Sequence, residues 1–255
     1  MDLQQITPVI LTFNESANVA RTLEPLRWAQ RIVVLDSGSS DNTIELCHQF
    51  VNVQVYERPF DRHAEQWNYG LSVVQSEWVL ALDADYVTDA AFAAELESTV
   101  VEPGTAAFFA EFIYCMFGRP LRASLYPPRA VLFRRDKARY LQDGHTQLLK
   151  FEGNAGRLRT RIRHDDRKPL GQWLEAQDRY ARLEVEKLTS ATAPLGFRDS
   201  LRKLMFVMPL VMPFYCLIAK GLIFDGAAGL HYTFQRTMAE MILSLRLIER
   251  KLQRS

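Results

Sequence analysis

The stretch Trp78-Val79-Leu80-Ala81-Leu82-Asp83-Ala84-Asp85 runs an apolar segment straight into two carboxylates two residues apart. Short apolar runs of this kind form buried strands. Ligands of open α/β sheets bind outside the carboxyl ends of such strands. Two aspartates at one strand end concentrate negative charge that a hard divalent cation relieves, and carboxylate oxygens suit Mg2+ or Mn2+. A cation shared with a diphosphate is the chemistry this spacing serves best; a strand end followed by a helix cap is the plain alternative. Three more polar segments stand beside apolar runs: Thr12-Phe13-Asn14-Glu15, Asp36-Ser37-Gly38-Ser39-Ser40-Asp41 and Gln66-Trp67-Asn68-Tyr69-Gly70.

These residues need a scaffold, and the first hundred positions supply one. Strands are expected at Pro8–Phe13, Arg31–Leu35, Val51–Tyr56 and Trp78–Leu82, with helices over Asn14–Arg27, Asn42–Phe50 and His63–Val74 between them. Asn14 or Ser16 would cap the first helix and Ser40 or Asp41 the second. Alternation of strand and helix predicts an α/β, doubly wound, mainly parallel sheet with helices on both faces. A helix near Thr88–Val101 follows, then one long strand over Ala106–Phe117, a strand at Ala130–Phe133 and a charged helix over Leu170–Leu188.

The ordered set of polar segments resembles glycosyltransferase family 2, whose members have the GT-A nucleotide-diphospho-sugar fold. The resemblance is strong over the first hundred residues and weaker to Tyr180. It implies that Phe13, Asn14 and Glu15 lie along the nucleotide, that Asp36 accepts a hydrogen bond from the base, and that Gln66 and Asn68 line the donor site. It further implies that Asp83 serves the ribose or the metal shell and that Asp85 is the direct metal ligand. Within the family, the chain resembles the lipopolysaccharide-core glucosyltransferases, where a His-Glu pair sits about sixty residues past the metal motif. Here the segment reads Asp143-Gly144-His145-Thr146. His145 matches the histidine and Thr146 replaces the glutamate, so Asp143 is the first candidate for the catalytic base and His145 the second. Gly153–Gly156 resembles the subgroup's turn. His164 matches a histidine near metal and diphosphate, and Arg129, Arg134, Arg167 and Lys168 are candidates for phosphate contact. Arg159, Arg161 and Arg163 alternate as on one exposed strand face.

Net charge hides an asymmetry. Residues 1–118 hold five arginines, no lysine and seventeen acids, net −12, and the remainder carries +13. An acidic half suits a metal; a basic half suits phosphates on a substrate or an anionic membrane surface. The acidic motif argues against a nucleic-acid partner. Leu204–Ala219 is uncharged over sixteen residues, holds Pro209 and Pro213, and is flanked by Arg202-Lys203 and Lys220. A spanning helix needs ~20 apolar residues. The run therefore reads as a membrane-surface or re-entrant element, or else as a buried helical hairpin or a homodimer interface. Three cysteines without metal spacing and a start lacking a basic, apolar leader fit a cytoplasmic protein.

The combined expectation is a GT-A domain over residues 1–190 and a helical, membrane-associating extension over 191–255. The enzyme would be a Mg2+- or Mn2+-dependent inverting glycosyltransferase, peripheral on the inner face of the cytoplasmic membrane. It would move sugar from a nucleotide-sugar donor, UDP-linked by resemblance, to a lipid-linked or glycan acceptor. The rival class is a non-catalytic nucleotide-sugar binder of envelope polysaccharide assembly. A pyrophosphorylase is disfavoured, because Thr12-Phe13-Asn14-Glu15 lacks a glycine- and basic-rich loop.

Overall fold

The structure is a computed structural model that describes residues 1–143, 146–190 and 196–253. In chain order the elements are β1 (Ile6–Thr12), α1 (Val19–Leu23), β2 (Ile32–Asp36), α2 (Thr43–Cys47), β3 (Val53–Glu57), α3 (His63–Val73), β4 (Trp78–Asp83), β5 (Tyr86–Val87), α4 (Ala90–Ser98), β6 (Thr105–Ala110), β7 (Phe112–Met116), β8 (Arg119–Pro120), β9 (Arg129–Arg134), β10 (Ala138–Asp143), β11 (Thr146–Phe151), β12 (Asn154–Arg157), β13 (Ile162–His164), α5 (Leu170–Ser190), α6 (Phe197–Lys203), α7 (Val207–Phe214) and α8 (Gly226–Leu252). They fall into two compact units. One comprises residues 1–115, 125–142 and 147–167; the other comprises 116–124, 143–146 and 168–255.

The first unit is built on a seven-stranded sheet ordered β12-β6-β9-β4-β1-β2-β3. β1 pairs in parallel with β2 and β4, β2 with β3, and β12 with β6, while β9 runs antiparallel between β4 and β6. This is the doubly wound, mainly parallel α/β architecture the sequence predicts. Side chains alternate across a strand, and both faces of this sheet are apolar. Ile6, Ile10, Ile32, Val34, Leu80 and Leu82 pack with α1, α2 and α4 through Val19, Leu23, Cys47, Phe92 and Leu96. Val9, Val33, Leu35, Val79 and Ala81 pack with α3 through Ala64, Trp67 and Leu71. Gly70 lets α3 approach closely: a Cβ there would sit 2.8 Å from Leu35 Cδ1 and 2.9 Å from Val9 Cγ1.

Three local expectations change. The helix expected over Asn14–Arg27 shrinks to α1 and a single tight turn at Glu24–Leu26, because Asn14 takes a positive φ of 53° and Pro25 ends regular hydrogen bonding. The strand expected over Ala106–Phe117 divides at Glu111: β6 stays in the large sheet, and β7 pairs with β13, which pairs in turn with β5. The alternating arginine face does not form, since Arg159 and Thr160 lie in a turn whose backbone N–H groups donate to the Glu95 carboxylate.

The second unit is mainly helical. Ala181, Val185 and Leu188 of α5 pack on Leu243 and Leu247 of α8. Between α5 and α8, Arg202 of α6 donates to both oxygens of Glu240 (2.7 and 3.1 Å) and to Glu184 Oε1 at 3.3 Å. Both carboxylates are buried. Pro213 lies inside α7, and a π-helical turn over Tyr215–Ala219 follows it. Among the described residues no single helix is long and apolar enough to cross a membrane. Val207–Ala219 and Leu222–Leu252 pass that test only as a pair bent by 73°.

Candidate active site

Parallel pairing aligns the carboxyl ends of β1, β2 and β4, with Thr12 beside Asp36 and Leu11 beside Asp83. The Asp83 side chain makes no hydrogen bond or ion pair among the described residues. Two residues on, Asp85 Oδ2 lies 3.1 Å from His164 Nε2. The small sheet makes this contact: β13 runs antiparallel to β5, with His164 opposite Tyr86. Asp165 N donates to the Asp85 carbonyl at 3.0 Å and holds the register. Burial alone pushes the His164 imidazole down, but the charge and hydrogen bond of Asp85, with Asp83 and Asp166 beyond, hold it above the usual histidine range. Its ring is boxed by Tyr114, Tyr126 and Tyr86, with centroids 4.4, 4.7 and 5.2 Å away, and its Nδ1 is buried without a hydrogen-bond partner.

Tyr86 and Tyr126 share a hydroxyl–hydroxyl hydrogen bond. Burial, then the charge of Asp83, pushes both phenols up, so they remain neutral at physiological pH. These tyrosines escaped sequence reasoning; the only signal was that Tyr86 directly follows Asp85. Asn18 and Arg21 were also missed. Arg21 donates to the Asp165 carboxylate (2.9 Å) and to Asn18 Oδ1 (2.7 Å), and Asn18 Nδ2 donates to Asp166 and Glu15. This network fastens α1 to the segment after β13.

Several expected donor-site residues are engaged elsewhere. Asp36 is fully buried, and both its oxygens are taken: Oδ1 accepts from Gly38 N (2.9 Å) and Ser39 N (2.7 Å), Oδ2 from Thr12 Oγ1 (2.7 Å) and Ser39 Oγ (2.6 Å). Four hydrogen bonds match a carboxylate's acceptor capacity, and they fix the loop that Asp36 opens. Gly38, at φ 88°, gives that loop its turn. Gln66, also buried, bonds Ser37 Oγ and the Arg58 carbonyl and accepts from the Arg58 guanidinium. Asn68 exchanges two hydrogen bonds with the Tyr140 backbone and so ties β10 to α3. Both side chains brace the elements around them.

Arg134 is displaced further. It lies opposite Trp78, at the amino end of β4, stacks on that ring and pairs with Glu77. The reversed direction of β9 puts it at the sheet edge remote from Asp83. By contrast, Asn14 Oδ1 accepts from Ser40 N, and Asn14 N donates to Ser39 Oγ, joining the β1 and β2 loops. Glu15 N donates to Thr43 Oγ1, and Phe13 is exposed beside them.

The expected metal set of Asp83, Asp85 and His164 is not gathered into a cage. Among the described residues no three His, Cys, Asp or Glu side chains converge that way. A carboxylate pair with one member unpartnered nevertheless fits a hard cation that keeps waters and completes its shell from substrate phosphates. Asp143, at the end of β10, is half-exposed and ion-paired with Lys187 Nζ at 3.1 Å. His145 lies outside the described residues. Arg167 is engaged by the buried Asp165.

Comparison with known proteins agrees with this architecture. Residues 7–162 match the family described as Glycosyl transferase family 2. The chain belongs to glycosyltransferase family 2, and it is a glycosyltransferase of the nucleotide-sugar-using, GT-A type. It is 26% identical over 221 residues to the lipopolysaccharide core biosynthesis glycosyltransferase LpsC of Rhizobium meliloti (strain 1021), covering 80% of this chain and 78% of that one. An uncharacterized glycosyltransferase of Rickettsia felis is 29% identical over 84 residues, 32% of this chain and 29% of its own length. Among solved structures, the mannosyltransferase PcManGT from Pyrobaculum calidifontis, in complex with GDP-Man and Mn2+, superposes with a TM-score of 0.52 at 16% identity, covering 97% of this chain and 86% of the other. That likeness concerns the fold.

Proposed function

We propose that this protein is a metal-dependent, inverting glycosyltransferase of envelope glycan synthesis, working at the cytoplasmic face of the membrane. It would transfer a hexose from a nucleoside-diphosphate sugar to a lipid-linked or lipopolysaccharide-core acceptor. The observation that carries the reading is the carboxyl edge of β4, where Asp83, unpartnered among the described residues, stands beside the Asp85–His164 pair. Asp85 is the residue to hold Mg2+ or Mn2+, with Asp83 turned to the ribose or the metal's water shell. Bound there, the ion would neutralise charge on the departing diphosphate. Phe13, Asn14 and Glu15 border the nucleotide, and the Asp36 loop sets the shape of that border.

Direct displacement at the sugar carbon requires a base for the acceptor hydroxyl. Asp143 suits that role, being a half-exposed carboxylate oriented by Lys187. The test is turnover of a panel of UDP- and GDP-sugars with Mn2+ and an envelope-lipid extract as acceptor. One donor should be consumed selectively. Asp143→Asn should lower kcat by roughly 10²- to 10⁴-fold, the usual worth of a general base, with nucleotide binding unchanged. Unaltered turnover in Asp143→Asn rejects the base assignment. Metal-dependent nucleotide-sugar binding with no transfer to any acceptor would favour the non-catalytic binder.

Membrane association is supported by the second unit. Phe206, Leu210, Phe214 and Ile218 are all exposed along a segment flanked by Lys203 and Lys220, and Phe224 just beyond it is exposed too. Apolar side chains beside lysines suit an anionic bilayer surface. The protein should float with vesicles containing anionic lipid, less at high salt, and Phe214→Asp with Ile218→Asp should release it. Wild-type protein that stays in the vesicle-free fraction at low salt defeats the membrane assignment.

A further inference from the structure

Arg129 opens β9, and the direction of that strand decides where it lies. β9 pairs antiparallel to β4 with Trp78 opposite Arg134, Val79 opposite Phe133 and Leu80 opposite Leu132. Continuing that register carries Arg129 to the Asp83 end, the carboxyl edge. On its other side Arg129 is opposite Ala110 of β6. Its guanidinium carbon lies 4.7 Å over the Tyr126 ring, and the Asp83 charge acts on it. Among the described residues, neither the Arg129 nor the Asp83 side chain makes a hydrogen bond or an ion pair.

Four other arginines of this unit are spent on protein acceptors. Arg21 and Arg167 serve Asp165, Arg58 serves Gln66 and Asp61, and Arg134 serves Glu77 and the Thr105 carbonyl. A guanidinium has five donors in a planar fork matched to two oxygens of one anion. Stacking on Tyr126 orients that fork without using a donor. Tyr126 is itself fixed through its hydroxyl to Tyr86, which follows Asp85 directly. A preoriented cation with unspent donors therefore stands at the sheet edge that carries Asp83. A metal-bound phosphate oxyanion satisfies both at once.

We propose that Arg129 is a phosphate-recognition residue of this site, gripping two oxygens of one phosphoryl group through its fork. This deepens the glycosyltransferase reading and rests on it. Two sources carry that chemistry: the donor's diphosphate, or a phosphate on the acceptor.

The test uses the full chain with Mn2+. Binding of UDP, GDP, uridine and guanosine is measured by calorimetry for wild type, Arg129→Lys and Arg129→Met, followed by titration of inorganic phosphate into the nucleoside-diphosphate complex. Loss of about 10- to 100-fold in diphosphate affinity in Arg129→Met, with nucleoside binding unchanged, identifies the donor phosphate as the ligand. Unchanged diphosphate binding with loss of the inorganic-phosphate site identifies an acceptor phosphate. Arg129→Lys should recover part of either loss, because it keeps the charge and forfeits the fork. A purely structural role would lower Tm and leave both titrations intact. Diphosphate and inorganic phosphate binding that are both unchanged in Arg129→Met overturn the proposal. Wild-type protein that binds no nucleotide with metal rejects the underlying reading instead.

Discussion

Asp85→Asn will abolish sugar transfer while leaving the protein folded. The substitution keeps the shape and a polar contact to His164, 3.1 Å away, but removes the charge that would hold the cation. A metal that stabilises a departing diphosphate is worth several kcal/mol, and each ~1.4 kcal/mol is tenfold in rate. The expected loss in kcat/KM is therefore about 10³-fold or more, with Tm changed little. Asp83→Asn should fall less, because the role assigned to it is the ribose or the metal's water shell. Added Mn2+ at high concentration should restore part of the Asp85→Asn activity, since affinity for the ion is what the variant loses. Turnover within a few-fold of wild type would remove Asp85 from the metal site.

The second large effect concerns stability. Arg202→Met should destabilise the helical unit by about 3–5 kcal/mol, the cost of removing one partner from a buried ion pair. Arg202 bridges Glu240 and Glu184, whose side chains are 2% and 7% exposed. Burial pushes its guanidinium pKa down, but the hydrogen bond and charge of Glu240, then Glu184 and Asp199, hold it above the usual range. Without Arg202, two carboxylates remain beside each other in a poorly solvated seam between α5 and α8. Thermal unfolding followed by circular dichroism should show Tm lower by on the order of 10 °C, given ~2–4 °C per kcal/mol for chains of this size. Replacing all three by apolar residues of similar volume should recover most of the loss, because the charges are then gone together. A single Arg202→Met variant within about 2 °C of wild type would show that the triad contributes little.

The active-site frame was largely legible in the chain. Apolar runs at Ile6–Thr12, Ile32–Asp36 and Trp78–Asp83 are strands because both of their faces are buried, and their polar ends fall at one sheet edge because parallel pairing aligns them. The Asp83–Asp85 spacing needs no tertiary information to be noticed. What the chain does not show is which polar side chains are already hydrogen-bonded within the protein. Asp36 reads as an offered carboxylate, yet Thr12 and the backbone of Gly38 and Ser39 fill it. Asn68 reads as a ligand residue, yet it is bonded to the Tyr140 backbone, 72 positions away.

The sequence by itself determined the family, the doubly wound sheet and the two aspartates at the edge of β4. Those depend on hydrophobic period and on motifs short enough to be written in adjacent residues. Only the tertiary structure decided that Arg129, and not Arg134, lies at the Asp83 edge, because the direction of β9 relative to β4 is set by pairing and not by its own composition. Only the tertiary structure closed the Asp85–His164 contact across 79 positions and left Asp83 without a partner among the described residues. Whether a polar side chain is spent on its own protein or available to a ligand is a property of what surrounds it, and one-dimensional spacing does not carry that information.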